Sequence, residues 1–344
     1  MKIDDPAFDS ATAEARDALL AAALRRQIAF MRANVPFWTE WLSTAGVNED
    51  RLESVADLAR FPILSKQELR ALRPAALLPK QSLLELRLCR WTSGTTGRPT
   101  VNFWGEADWA ALVGSTARML VRQAPIAGAS AFNGYSQAHV TGPLYSAALR
   151  KVGVVVFDRS HHGEDQFPTT AQMDLFDFNT VVLPGRTTRG KGLGLADLLA
   201  EDATALARRN VRWWIGSSGT FDANCRSLAQ QQGVTTITNL YGSSEFGLFA
   251  ISCKHEPADF HVAQGHVLVE VVDATGAPVA SGQTGRIVVT RLSGMDEHGD
   301  ARVHGGTQIL RLAVGDCATL LTDRCVCGLT APRLRNIARI NTPE

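Results

Sequence analysis

The sequence has few cysteines and almost no net charge. Six of its 344 residues are cysteine, and 35 basic residues are balanced by 34 acidic ones, which leaves a net charge of +1. No broad cationic surface is predicted, so nucleic acid is not an expected partner. Because the cysteines are few and clustered late, they favour a reducing compartment and a single metal site over a disulfide framework.

The sequence also lacks long hydrophobic runs. No segment approaches the roughly 20 apolar residues of a membrane span, and residues 1–6 carry acids where a signal peptide would be apolar. We therefore expect a cytoplasmic protein with no membrane partner. A hydrophobic content of 45% is enough for a large core, and the length exceeds that of one usual domain.

Glycine and hydroxyl-bearing residues are concentrated in residues 92–100, whose sequence is TSGTTGRPT. Glycines let a backbone approach a ligand closely, so N–H groups and hydroxyls can converge on phosphate oxygens. Arg98 and Pro99 stand where the common P-loop has Lys and Ser or Thr, and Pro99 prevents a helix there. Residues 85–89 and 100–104 are typical of strands, so we expect a loop between two strands to hold a triphosphate. An ordinary polar hairpin loop is the alternative, but it would not explain so long an unbroken series of glycine and hydroxyl-bearing residues.

Elsewhere the patterns predict helices over residues 11–35, 106–122 and 195–209, and another that begins at a Ser65–Glu68 capping box. Strand, helix and strand alternate over residues 131–157, which predicts a parallel sheet with helices on its faces. Ligands of such sheets usually bind at the carboxyl ends of the strands. Residues 267–273 and 285–290 alternate as antiparallel strands. The glycine-rich residues 184–194 fit a solvated loop better than an anion site.

TSGTTGRPT resembles the phosphate-binding signature of the adenylate-forming superfamily, which includes acyl-CoA synthetases, peptide-synthetase adenylation domains and luciferases. Residues 34–38 and 57–66 are similar to the N-terminal pattern of its phenylacetate–CoA ligase branch. The resemblance implies an α/β fold with a large N-terminal part, whose mixed and parallel sheets are flanked by helices, and a C-terminal antiparallel β subdomain. It assigns ATP and acid binding to residues 1–250 and a β-rich subdomain to residues 251–344.

The resemblance also implies residue roles in binding ATP. The phosphates would contact the loop at Ser93, Gly94, Thr95, Thr96, Gly97 and Arg98, with Thr95 and Arg98 taking part in catalysis. Gly219 and Thr220 match by position a turn that lies along the adenine.

The segment Tyr241-Gly242-Ser243-Ser244-Glu245 resembles the family's Tyr-Gly-x-Ser/Thr-Glu element. Tyr241 offers a face for adenine, Ser244 a hydroxyl near the phosphates, and Glu245 a carboxylate for Mg²⁺, which needs only one or two protein carboxylates. Asp316 lies in a segment similar to the Arg-Tyr-x-Thr-Gly-Asp motif and would accept hydrogen bonds from the ribose hydroxyls.

The acid substrate, by the same resemblance, would bind near Tyr135 and the turn that contains His139, Thr141 and Gly142. A histidine on the surface or satisfied in the core is an equally good interpretation of His139.

Cys253, His261, Cys325 and Cys327 together offer three thiolates and one imidazole, the ligands of a closed structural Zn²⁺ site. His255 competes with His261 as the nitrogen ligand. Four unrelated side chains packed as small hydrophobes are the alternative. Similar placements in phenylacetate–CoA ligase relatives favour zinc.

In the relatives a hinge leads to a mobile C-terminal domain whose lysine neutralises the reacting groups. Residues 337–342 keep only Arg339 of that hinge and the sequence stops at Glu344, so the resemblance implies that this domain is absent.

The predicted function is ATP- and Mg²⁺-dependent adenylation of an aryl or arylalkyl carboxylic acid. The acceptor is coenzyme A, a carrier protein, an amine or another small nucleophile, and a partner chain could supply the missing domain. A nucleotide-binding subunit that has lost catalysis is the alternative from another class. A homodimer is compatible with the sequence.

Overall fold

The computed structural model describes residues 6–80, 86–91, 100–124, 126, 128–160, 167–187, 192–217, 221–292 and 305–340. The α-helices of this part are Pro6–Asp9 (α1), Ala13–Asn34 (α2), Pro36–Thr44 (α3), Lys66–Ala71 (α4), Glu106–Val121 (α5), Thr141–Lys151 (α6), Thr169–Met173 (α7), Leu195–Glu201 (α8) and Ala223–Gln231 (α9). The strands are Leu86–Trp91 (β1), Val101–Gly105 (β2), Ser130–Asn133 (β3), Val155–Asp158 (β4), Thr180–Val182 (β5), Trp213–Ser217 (β6), Thr236–Ser243 (β7), Gly247–Ser252 (β8), Phe260–Val262 (β9), Val267–Val272 (β10), Thr284–Arg291 (β11), Leu312–Leu321 (β12) and Arg333–Arg339 (β13). Short 3-10 helices cover Glu49–Arg51, Val55–Arg60 and Pro74–Leu77.

The chain forms two compact units. Unit 1 comprises Met1–Ser115 and His255–Glu344, and unit 2 comprises Thr116–Lys254. The predicted boundary at residue 250 lies near the second change of unit. The first change, within α5, has no counterpart in the sequence prediction.

The strands described in unit 1 all pair antiparallel. Strands β10, β11, β12, β13 and β9 pair in that order, and β1 pairs with β2 in a separate two-stranded sheet. The predicted antiparallel subdomain is therefore confirmed. The strands predicted on either side of residues 92–99 are also present, and they pair antiparallel.

A buried ion pair joins β10 to Arg311, the residue just before β12. Arg311 is 1% exposed, and its guanidinium donates to both carboxylate oxygens of Glu270, at 3.1 and 2.9 Å. It also donates to the carbonyl oxygens of Phe61 and Gly276, at 2.6 and 2.8 Å. These four bonds hold Arg311 at a φ of 45°, which non-glycine residues rarely adopt.

Unit 2 is built on a mostly parallel sheet of strand order β8-β7-β6-β5-β3-β4. All neighbouring pairs from β4 to β7 are parallel, and β8 is antiparallel to β7. Apolar residues of β3, β5, β6, α8 and α9 form its core, with Phe132, Trp214 and Leu198 among them. The predicted α/β class, with a mixed sheet and helices, is confirmed.

Local sequence signals set the helix ends. The capping box is present, because the Ser65 hydroxyl accepts from Glu68 N–H and the Glu68 carboxylate accepts from Ser65 N–H. The helix predicted over residues 195–209 is wrong in its second half, since α8 ends at Glu201. Asp202 ends it: its carboxylate accepts from both the N–H and the hydroxyl of Thr204, which competes with helical hydrogen bonds.

Among the described residues, no helix combines the length and apolar character needed to cross a membrane.

Candidate active site

The strand order of unit 2 reverses at β3. The chain passes from β3 outward to β4 and then returns to β5 on the other side of β3. At such a switch point the loops that follow the two strands run in opposite directions. Ligands of open α/β sheets bind in the crevice that this leaves at the carboxyl ends of the strands. Tyr135, one of the residues predicted to bind the acid, follows β3 at this point.

Asn133, the last residue of β3, fixes the shape of the turn after it. Its side-chain oxygen accepts from Tyr135 N–H at 3.1 Å, and its amide donates to the carbonyl oxygen of Gly142 at 2.9 Å. Gly142 must be glycine, because a Cβ there would collide with the Ser136 carbonyl oxygen. The start of α6 is thereby held against the turn, which brings the predicted residues 135–142 together.

The Tyr135 ring is buried, with 1% of the residue exposed. Its hydroxyl accepts from Ser217 N–H at 2.8 Å and donates to the Ser217 carbonyl oxygen at 2.9 Å, which ties the turn to the carboxyl end of β6. Burial raises the pKa of Tyr135 above its usual range, although the Ser217 hydrogen bonds lower it. The hydroxyl therefore stays protonated, and its two hydrogen bonds to Ser217 have a structural role. A contact between Tyr135 and the acid remains a prediction.

His139 lies between two predicted binding segments of unit 2. Thr141 N–H donates to His139 Nδ1 at 3.4 Å, and the Thr141 hydroxyl lies 3.0 Å from the same nitrogen. The other ring nitrogen, Nε2, lies 3.5 Å from the Ser244 hydroxyl. The turn predicted to bind the acid and the Tyr241–Glu245 segment are thus in contact through His139, which is buried rather than on the surface.

The Tyr241–Glu245 segment leaves the sheet at the end of β7. The register between β7 and β8 shifts between Tyr241 and Gly242, and such a bulge changes the direction of the side chains after it. Gly242 cannot carry a side chain, because a Cβ would collide with the Gly247 carbonyl oxygen. Glu245, which follows these residues, is 2% exposed.

Two polar atoms of β7 are shielded from solvent and have no hydrogen-bond partner in the described part of the chain: Asn239 Oδ1 and Ser243 Oγ. Asn239 and Tyr241 are two residues apart on a strand, so they lie on the same face of it. Buried polar groups are normally paired, and each one left unpaired costs about 1–3 kcal/mol. The end of β7 is therefore suited to a polar ligand.

Several predicted nucleotide-binding residues lie outside the described residues. They are Ser93, Gly94, Thr95, Thr96, Gly97, Arg98, Gly219 and Thr220.

Asp316 lies in unit 1 on β12, opposite Arg339 of β13. Arg339 donates to the Asp316 carboxylate at 3.1 Å. Gly315, just before it, has a φ of 79°, which glycine adopts without strain. The carboxylate predicted to bind ribose is therefore oriented by the arginine that the sequence shares with the family hinge.

Three of the four predicted zinc ligands meet in unit 1. The ligand atoms of His261, Cys325 and Cys327 lie within 4.8 Å of one another, and Cys327 Sγ is 3.3 Å from His261 Nε2. Ligands of a tetrahedral Zn²⁺ site are separated by about 3.6 Å, given bond lengths near 2.0–2.3 Å. The competing His255 is exposed. Cys253 belongs to unit 2, in which it is buried.

Sequence reasoning missed Asn133 and Asn239 as site residues. Asn239 begins the segment recognised around Tyr241–Glu245, but only the later residues of that segment were given roles. Asn133 belongs to no recognisable motif, and its partners lie up to 25 positions away along the chain. The available signal was their place at or near the carboxyl end of a parallel strand.

No family model matches the chain. The chain is 27% identical over 336 residues to a phenylacetate–coenzyme A ligase of Thermus thermophilus, and the match covers 96% of this chain and 71% of that protein. A phenylacetate–coenzyme A ligase of Pseudomonas putida is 29% identical over 276 residues, which are 76% of this chain and 58% of that protein. The chain thus spans less than two thirds of the length of the Pseudomonas relative.

Solved structures of a 2-hydroxyisobutyryl-CoA ligase are also similar. An open conformation in complex with 2-HIB-AMP and CoA has a TM-score of 0.82 at 20% identity, and the match covers 98% of this chain and 77% of that one. The thioesterification state of the same ligase also has a TM-score of 0.82, covering 97% and 70% of the two chains. At this identity the similarity shows a shared fold.

Proposed function

Because this chain is a homologue of phenylacetate–CoA ligases and has the fold of an adenylate-forming ligase, we propose that it activates a carboxylic acid with ATP. An oxygen of the acid attacks the α-phosphorus of ATP, the bond to the β-phosphate oxygen breaks, and pyrophosphate leaves. The thiolate of coenzyme A then attacks the carbonyl carbon of the acyl-adenylate and AMP leaves. The names of the relatives favour an arylalkyl or aryl acid as the substrate.

The observation that carries this proposal is the contact of His139 with both Thr141 and Ser244. It joins the turn assigned to the acid, which follows β3, with the segment assigned to the nucleotide, which follows β7. Adenylation requires the acid and the α-phosphate to be neighbours, because most of its catalysis is positioning and charge stabilisation.

We assign the roles of the predicted residues by their side-chain chemistry. Glu245 directly follows Ser243 and Ser244 in the sequence. Its carboxylate and their hydroxyls offer oxygen ligands that suit Mg²⁺. Mg²⁺, when bound, neutralises charge on the phosphates. Tyr241 would pack against adenine, and Asp316, oriented by Arg339, would accept from the ribose hydroxyls. The loop residues Thr95 and Arg98 would contact the phosphates, with the remaining loop positions and Gly219–Thr220 completing the nucleotide site.

For His261, Cys325 and Cys327 we propose a structural Zn²⁺ site, with Cys253 as the fourth ligand on the sequence evidence. Four protein ligands close a tetrahedral shell and leave no position for a substrate. The metal would fix the turn between β12 and β13 and would take no part in the reaction.

The test is pyrophosphate release by the purified chain with ATP, Mg²⁺ and a panel of aromatic acids, each with and without coenzyme A. We expect release that depends on the acid and an aryl-CoA product detected by mass spectrometry. Hydroxylamine, an amine or a carrier protein in place of coenzyme A identifies a different acceptor. ATP binding without release under any of these conditions would refute the proposal and favour a nucleotide-binding subunit.

A further inference from the structure

Two neighbouring cavities lie in unit 1, away from every residue assigned above. The first, of about 440 Å³, is lined by Phe37, Glu40, Trp41, Thr44, Ala45 and Pro62. The second, of about 350 Å³, is lined by residues of the Ala59–Ile63 segment, by Ala45, Thr275 and Gly276, and by Arg286 and Arg311. Both share Ala45 and Pro62, so they adjoin, and one is mainly apolar where the other is cationic.

The apolar cavity has an aromatic wall. Phe37 and Trp41 are four residues apart on α3, so they lie on one face of the helix, and their ring centroids are 5.2 Å apart at an interplanar angle of 32°. The indole N–H of Trp41 is shielded from solvent and has no hydrogen-bond partner in the described part of the chain. This wall suits a flat apolar group that carries an acceptor at its edge.

The cationic cavity contains three arginines, two of which already have a carboxylate partner. Arg311 is paired with Glu270 at 2.9 Å, and Arg60 is paired with Asp57 at 3.0 Å. Arg286 instead donates to the backbone carbonyls of Asp273 and Ala274, at 3.2 and 3.3 Å.

Among the described residues Arg286 has no carboxylate partner, and its Nε is buried without any hydrogen bond. The nearby Asp273 carboxylate is occupied by the N–H groups of Thr275 and Ala277. Glu40, in the wall of the first cavity, is exposed to solvent. Arg286 is therefore a half-buried cation whose Nε donor has no acceptor within the described part of the chain.

We infer that these joined cavities bind an aromatic carboxylate, with its ring against Phe37 and Trp41 and its carboxylate on Arg286. A carboxylate supplies the acceptors that the two unpaired donors, Arg286 Nε and Trp41 Nε1, lack. The ring fills the apolar part, where an inorganic anion would leave the aromatic wall uncovered. This second site is independent of the adenylation site, and it would let the chain sense an acid of the kind that it is proposed to activate.

The experiment is isothermal titration calorimetry of the full chain with 2-naphthoate and with its neutral isostere 2-naphthamide. Arg286→Gln removes the cation, and Trp41→Phe keeps an aromatic ring but removes the indole donor. Arg26→Gln, at an exposed position of α2, is the control for loss of one positive charge. Thermal unfolding of each variant checks that it is folded.

We expect Arg286→Gln to weaken naphthoate binding at this site about tenfold and Trp41→Phe to weaken it about threefold. The control Arg26→Gln should bind naphthoate as tightly as the wild type. The wild type should bind naphthamide at least tenfold more weakly than naphthoate. Acid-dependent pyrophosphate release should be retained in Arg286→Gln, which separates this site from the adenylation site. Naphthoate binding that is unchanged in both pocket variants, or naphthamide binding as tight as naphthoate, would overturn the inference.

Discussion

The start of β12 in unit 1 and the end of β7 in unit 2 both hold polar side-chain atoms that are shielded from solvent, but their hydrogen bonding differs. Arg311 makes four hydrogen bonds to Glu270, Phe61 and Gly276. Asn239 Oδ1 and Ser243 Oγ have no partner among the described residues. A polar group that is satisfied by its own protein serves the fold, whereas one that is buried and unsatisfied is suited to a ligand. We therefore expect mutations in the two regions to change different properties.

The largest effect should come from Arg311→Met. Removal of the guanidinium leaves the Glu270 carboxylate and two carbonyls buried without a partner, so we expect the free energy of unfolding to fall by about 3–5 kcal/mol. Burial already raises the pKa of Glu270 against the lowering effect of Arg311, so part of the loss will be relieved by protonation. Urea unfolding of the wild type and Arg311→Met measures the difference in the free energy of unfolding. The double variant Arg311→Met/Glu270→Leu should recover much of the loss, and no recovery would contradict the pairing argument.

Glu245→Gln should have the opposite profile. Loss of the carboxylate should lower acid-dependent pyrophosphate release by about 10²–10³-fold. The free energy of unfolding should fall by only about 1 kcal/mol, less than for Arg311→Met, although Glu245 is 2% exposed. Glu201→Gln, at an exposed position of α8, is the matched control. A Glu245→Gln chain that is fully active, or that is inactive only because it is unfolded, would remove the distinction between the two regions.

Cys327→Ser tests whether the Cys and His group belongs with the structural region. We expect about one Zn²⁺ per wild-type chain by mass spectrometry, little or none in the variant, and a lower midpoint of thermal unfolding, because metal binding contributes to folding free energy. KM for ATP in the folded variant should be unchanged. A wild-type chain that contains no zinc even after expression in zinc-supplemented medium would refute the site.

Ser243→Ala should act on binding alone. If this hydroxyl contacts the nucleotide, its removal should raise KM for ATP about three- to tenfold, because one hydrogen bond to a charged group is worth about 1 kcal/mol or more. Stability should be unchanged or slightly higher, since a buried unpaired hydroxyl is lost. A loss of stability with unchanged KM would place Ser243 with the structural residues.

Asp202→Asn should have the smallest effect. Burial alone would raise the pKa of Asp202, but hydrogen bonds from Arg208 and Thr204 lower it to about 2. A lowered pKa means that the carboxylate stabilises the fold above about pH 4 and that this contribution is lost as the pH falls from about 4 to 2. We expect Asp202→Asn to cost less than about 1 kcal/mol at pH 7 and nothing near pH 2, measured by thermal unfolding across this range.

Local signals were enough to predict much of the fold. The Ser65 capping box, the strands on either side of residues 92–99 and the antiparallel pair of β10 and β11 depend on neighbouring residues, so the sequence shows them directly. The helix predicted over residues 195–209 was too long, because helical periodicity does not reveal that Asp202 will bond to Thr204 instead. The role of Arg311 could not be predicted, since its partners lie up to 250 positions away.

The candidate site divides in the same way. Glu245, Asp316 and the turn from Tyr135 to Gly142 stand in motifs that could be recognised by resemblance. The hydrogen bonds between Tyr135 and Ser217, the contact of His139 with Ser244 and the ion pair of Asp316 with Arg339 depend on strand order and register. These features follow only from the folded chain.

The most direct test of the account is exchange of labelled pyrophosphate into ATP, with the wild-type chain and Glu245→Gln, in the presence of Mg²⁺ and an aryl or arylalkyl acid. Exchange requires a reversibly formed adenylate, so it reports the first step without any acceptor. We predict exchange that depends on the acid in the wild type and is lost in Glu245→Gln. ATP bound by the wild type with no exchange for any acid in the panel would contradict the claim that unit 2 joins an acid site to a nucleotide site.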